Sequence, residues 1–145
     1  MRRFFAISAA GVTFLAAQSA AATIRPQYGM SRVVLGMTKA QVRARLGAPV
    51  GSGVGRFFYA RVSVGFRLGR VVEVTTTRGT ERTASGIGVD SSEAAVRGAY
   101  PGVVCTPFGG FRRCRLGSGS PGTRATDFML GHGHVLQVTV QLLPG

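Results

Sequence analysis

Apolar positions along this chain keep two periods, one helical and one of strict alternation. Val42 and Leu46 lie four apart inside Gly36-Met37-Thr38-Lys39-Ala40-Gln41-Val42-Arg43-Ala44-Arg45-Leu46-Gly47-Ala48-Pro49. Thr38 and Gln41 have the spacing of a capping box, and Gly47 with Pro49 supplies a stop. A short helix with Val42 and Leu46 on its buried face is therefore predicted. After the glycine-rich connector Gly51 to Gly55, alternation takes over from Phe57 to Phe66, breaks at Leu68-Gly69-Arg70 and resumes from Val71 to Thr77. Two alternating runs around a tight turn predict a β-hairpin.

The same succession returns later in the chain. Asp90 and Glu93 offer a second capping box, Ala94 to Tyr100 a second helix, and Pro101-Gly102 a second stop. Asp127 to Gly131 and Val135 to Val140 then repeat the alternation of Phe66 to Thr75, around a turn at His132-Gly133-His134 that reads as about two residues longer. Residues of about 33–78 and 86–141 are thus expected to be two copies of one supersecondary unit. The fold class predicted is α+β: two tandem helix-plus-antiparallel-hairpin units, their short helices packed on one face of an antiparallel sheet.

Each unit, with Gly-Met or Gly-Val, a capped helix, a Gly/Pro stop and a hairpin, resembles the half-repeat of the β-lactamase-inhibitor-protein-like fold. It is also similar to the single unit of the small outer-membrane-assembly lipoproteins (SmpA/OmlA-like), the stretch from Gly36-Met37-Thr38 to Gly47-Ala48-Pro49 being the nearest match. The resemblance implies a sheet whose free face or loops recognise other proteins. It carries over no functional residue, and this chain lacks the lipid-attachment cysteine of those lipoproteins.

Neither period describes the N-terminus. Arg2 and Arg3 precede an apolar run from Phe4 to Ala17 that ends in Ala20-Ala21-Ala22, the pattern of a secretory signal peptide. That run is shorter than the ~20 residues needed to span a bilayer. Residues 1–22 are accordingly expected to be a cleaved signal, and 23–145 one mature domain made of the two repeats, without a transmembrane segment. Export places the protein in a periplasm or outside the cell, away from cytosolic substrates, nucleotide cofactors and nucleic acid.

Charge adds a second strand to the argument. The chain has 18 Lys and Arg against 5 Asp and Glu, a formal net charge of +13 that becomes +11 once Arg2 and Arg3 are removed. Lys39 is the only lysine. Such an excess is either a compositional bias spread over solvated strand faces or an electropositive field that attracts an anionic envelope surface; both readings stay open.

Candidate chemistry is sparse. Cys105 and Cys114 are the only cysteines, and in an oxidising compartment they are expected to pair across the hairpin whose tip is Thr106 to Arg113. That stapled loop is the candidate contact surface, because Phe108, Phe111, Arg112 and Arg113 supply the aromatic and arginine anchors that interfaces favour. Tucking of the phenylalanines onto the sheet is the competing reading. Gly51 to Gly55 lacks the spacing of a phosphate cradle. His132 and His134 have no third ligand placed beside them, so no metal and no cofactor are expected. With Glu73, Glu81, Asp90, Glu93 and Asp127 as the only carboxylates and no Gly-x-Ser-x-Gly elbow, an enzyme is not expected. The function expected is a secreted, non-catalytic module that binds or scaffolds another envelope or extracellular protein. The alternatives are a proteinaceous inhibitor of a secreted hydrolase and an electrostatic binder of anionic envelope polymer or lipid.

Overall fold

The computed structural model describes residues 22–145, so the expected signal peptide lies outside the described residues but for Ala22. The chain begins with three two-residue strands, β1 (Ile24–Arg25), β2 (Gly29–Met30) and β3 (Val33–Val34), which form a small antiparallel sheet of their own. Gly29 is required there, because a Cβ on it would run into the carbonyl oxygen of Val33.

Helix α1 (Lys39–Leu46) follows, capped as its sequence predicts. Gln41 N donates to Thr38 Oγ1 at 3.2 Å and Thr38 N to Gln41 Oε1 at 2.9 Å. Gly47 ends the helix with φ 80°, a conformation that costs glycine little. Four strands come next: β4 (Gly51–Gly53), β5 (Arg56–Phe58), β6 (Ser63–Arg67) and β7 (Arg70–Thr76). Helix α2 (Glu93–Ala99) opens the second half, followed by β8 (Val104–Phe108), β9 (Phe111–Gly117), β10 (Arg124–Gly131) and β11 (His134–Leu142).

All eight of these later strands join one antiparallel sheet in the order β4-β5-β6-β7-β11-β10-β9-β8. Its two halves meet where β7 pairs with β11, Val74 opposite Val140 and Thr75 opposite Thr139. On the inner face a row of apolar side chains crosses the sheet through Val140, Val74, Val64 and Phe57, all buried in the core. Val42 of α1 and Val96 of α2 pack into that core at 0% exposure. Ile24, Met30 and Val33 of the small sheet cover what the two helices leave open.

The expected α+β architecture of two helix-plus-hairpin units is therefore corrected. The protein is mostly β, with two helices of eight and seven residues, and each helix precedes four strands rather than one hairpin. The cause lies in glycine and in short strands. Gly51 to Gly55, read as a connector, pairs as the edge strand β4 and turns back at Gly55, whose φ is 65°. The run Phe57 to Phe66, read as one strand, is two, because Tyr59 to Val62 make a turn closed by Tyr59 N donating to Val62 O at 2.9 Å. Residues 23–34 have no legible period because their strands are too short to show one.

Two local expectations also change. Ser92, not Asp90, caps α2, accepting from Ala95 N, while Asp90 sits in a turn at φ 74°. The β10–β11 turn is His132-Gly133, with φ values of 52° and 79°, the same length as Leu68-Gly69 in the β6–β7 turn. Both hairpins carry one bulge, between Gly65 and Phe66 in the first and between Met129 and Leu130 in the second, so no residue is extra: Leu130, not the start of Asp127 to Gly131, stands where Phe66 does.

Candidate functional site

Alternation along β9 and β10 divides their side chains between the two faces. Cys114 and Phe128 point into the core, while Arg113, Arg115, Asp127 and Met129 stand on the outer face, which neither helix covers. The outer face carries a polar ladder. Arg115 clasps Asp127 with Nε–Oδ1 at 2.7 Å and Nη2–Oδ2 at 2.6 Å, and Gln141 Nε2 donates to the same Oδ2 at 2.7 Å. The hydrogen bond to Asp127 holds the Arg115 guanidinium above its ordinary value, against the effect of burial. Two strands away Arg56 Nη2 donates to Glu73 Oε1 at 2.9 Å, joined by Thr75 Oγ1 at 3.0 Å.

Towards the β8–β9 tip the outer face turns apolar. Phe108 is 48% exposed, Phe111 51% and Leu136 43%. With Met129 and Gln137 they line an opening of about 490 Å³. A depression of about 290 Å³ adjoins it, reaching from Phe108 and Arg113 to Thr139 and Gln141. Arg113 lines the depression, its guanidinium 4.5 Å from the centre of the Phe108 ring that the two share. It has no carboxylate partner among the described residues, and its buried Nε has no hydrogen-bond partner there.

The tip that presents these groups is held from behind. Cys105 and Cys114 face each other directly in the β8–β9 pair and are joined as a disulfide. Arg112, pointing to the helix face, binds Glu93 of α2 through two hydrogen bonds of 2.9 and 3.0 Å. Arg97 adds its own pair to Glu93, at 3.0 and 2.8 Å. Hydrogen bonds from Arg112 and then Arg97 lower the Glu93 carboxyl below its ordinary value.

The four predicted contact residues are thus not one surface. Phe108, Phe111 and Arg113 share the outer face, and Arg112 is an internal clamp. Leu136 and Met129 complete the opening and escaped sequence reasoning, since both read as ordinary members of the β10–β11 alternation. The expected disulfide is present. His132 and His134 lie exposed at the β10–β11 turn, where His134 Nδ1 is 3.2 Å from the His132 carbonyl oxygen. Glu93 approaches the two cysteine sulfurs within 4.8 Å, but both sulfurs are spent in the disulfide and hold no metal.

No protein-family model matches the chain, and no curated protein matches it. Among solved structures, the chain is similar in fold to an extracellular protein containing a SCP domain from Bacillus anthracis str. Ames. The TM-score is 0.54 at 12% identity, over 74% of this chain and 43% of that one. This chain spans less than half the length of that neighbour, and at such identity the likeness concerns the fold. Among the described residues no helix is long and apolar enough to cross a membrane.

Proposed function

We propose that this protein is an exported, non-catalytic binding module that engages another envelope or extracellular protein through the outer sheet face at the stapled tip. The observation that carries the reading is the opening at Phe108, Phe111 and Leu136 with an unpaired guanidinium at its edge. Aromatic and arginine side chains dominate interface energetics, and a disulfide plus the Glu93 clamp spare the ordering cost that a flexible loop would incur on binding. The carboxylates most suited to chemistry are committed elsewhere: Asp127 to Arg115 and Gln141, Glu73 to Arg56 and Thr75, Glu93 to two arginines. Export rests on the N-terminal pattern of Arg2, Arg3 and the apolar run, together with the disulfide and the extracellular nature of the structural neighbour.

A rigid, exposed aromatic tip also suits an inhibitor that enters the cleft of a secreted hydrolase. The two readings share a test. Proteins captured from envelope and culture fractions by the wild type are compared with those captured by Phe108→Ser/Phe111→Ser. We expect a protein retained at high salt by the wild type and weakened at least tenfold by the double substitution, as truncated hot spots behave, with an unchanged melting temperature. Loss of a hydrolase's activity on binding selects the inhibitor. Equal capture by both variants overturns the reading.

A further inference from the structure

The end of the sheet remote from the stapled tip carries a second surface, independent of the protein-binding reading. Because the strands are antiparallel, the β4–β5 turn at Val54-Gly55 and the β6–β7 turn at Leu68-Gly69 emerge side by side there, tied by Phe66 N donating to Gly55 O at 2.7 Å. Their tips are apolar and fully displayed: Val54 is 107% and Leu68 98% exposed. Leu68 also holds φ 50° ahead of Gly69 at 74°. This is the left-handed pair of a two-residue hairpin turn, for which Asn-Gly is favoured and a leucine is strained. A strained leucine that touches nothing within the chain adds nothing to folding.

Cations stand at the base of the Leu68 tip. Arg67 and Arg70 pair across the base of the Leu68 turn. Arg70 bridges to Thr38 at the start of α1, whose first residue, Lys39, places its Nζ 5.6 Å from the Phe66 ring. None of Lys39, Arg67 or Arg70 has a carboxylate partner among the described residues. Glu73, the first carboxylate in the whole sequence, is engaged by Arg56 at the foot of the Val54 turn, and offers nothing to Lys39, Arg67 or Arg70. Two apolar tips beside cations that lack a carboxylate partner match a bilayer interface, where the tips enter the acyl boundary and the cations meet lipid phosphates. Soluble anionic polymer offers the phosphates without the apolar layer and gives Val54 and Leu68 no role. We propose that this end docks on the surface of an anionic phospholipid membrane.

Co-sedimentation of the purified, oxidised protein with vesicles of phosphatidylcholine, with and without phosphatidylglycerol, tests the proposal. The wild type is expected to bind only the anionic vesicles and to dissociate as salt rises. At about 1 kcal/mol per basic residue near such a surface, Arg67→Gln/Arg70→Gln should weaken partitioning by at least tenfold. Leu68→Asn relieves the turn, so it should melt no lower than the wild type yet bind several-fold more weakly. Three results overturn the proposal: no binding by the wild type, vesicle binding by Leu68→Asn equal to that of the wild type, or preference for soluble polyphosphate over anionic vesicles.

Discussion

At the level of single residues, Glu93 ties the stapled tip to α2, since its carboxylate accepts from Arg112 of β9 and from Arg97 one turn along α2. The lowered pKa of this group means that its contribution is fully present above the ordinary carboxylate range and is lost as pH falls through the folded-state value. We expect Glu93→Gln to cost about 1 kcal/mol at neutral pH. In urea unfolding followed against pH, the gap to the wild type should close under acid conditions. A gap that persists at low pH would assign the loss to packing instead. The sequence made Arg112 and Arg113 look alike at a loop tip. Strand pairing runs to Phe108 opposite Phe111, and a period of two then sends neighbours to opposite faces; extending the strands through the tip would have separated them.

Among the elements, the β8–β9 hairpin was the most legible, because two cysteines flanking a Gly-Gly turn leave little freedom in register. Cys105→Ser/Cys114→Ser should lower stability by about 2 to 3 kcal/mol, as the chain-entropy account of so short a loop gives, read as a shift in the denaturation midpoint. A loss much smaller than that would mean that pairing with β10 and the Glu93 clamp already fix the hairpin. Helix α1 was equally readable, since its capping box uses side-chain chemistry confined to four residues. Strands β1 to β3 were not, because two-residue strands display no alternation and their turns use non-glycine residues in left-handed conformations, Gln27, Ser31 and Arg32. The division of Phe57 to Phe66 was hidden for a related reason: apolar residues at Phe58, Ala60, Val62, Val64 and Phe66 keep one phase across the turn, whereas the folded chain buries Phe57, Val62 and Val64 and exposes Phe58.

For the molecule as a whole, the eight-stranded sheet separates two surfaces of different character. One end presents aromatic and aliphatic groups on a stapled tip, the other exposed turn tips among unopposed cations. The inner face has no part in either, being filled by α1, α2 and the small sheet. Sequence composition recorded the excess of positive charge but not its placement, which depends on Glu93 and Asp127 drawing Arg97, Arg112 and Arg115 into pairs away from the Leu68 end, and on Glu73 taking Arg56 alone beside it. The central claim is that the outer face at the stapled tip makes the contact with a partner protein. Hydrogen exchange of the oxidised protein, alone and bound to its captured partner, tests it most directly. The account predicts added protection at the backbone amides of β8 and β9 around Phe108 to Arg113 and at Leu136 and Gln137, with β4 and β5 unchanged. Protection confined to β4, β5 and α1, with the tip unaltered, would contradict it.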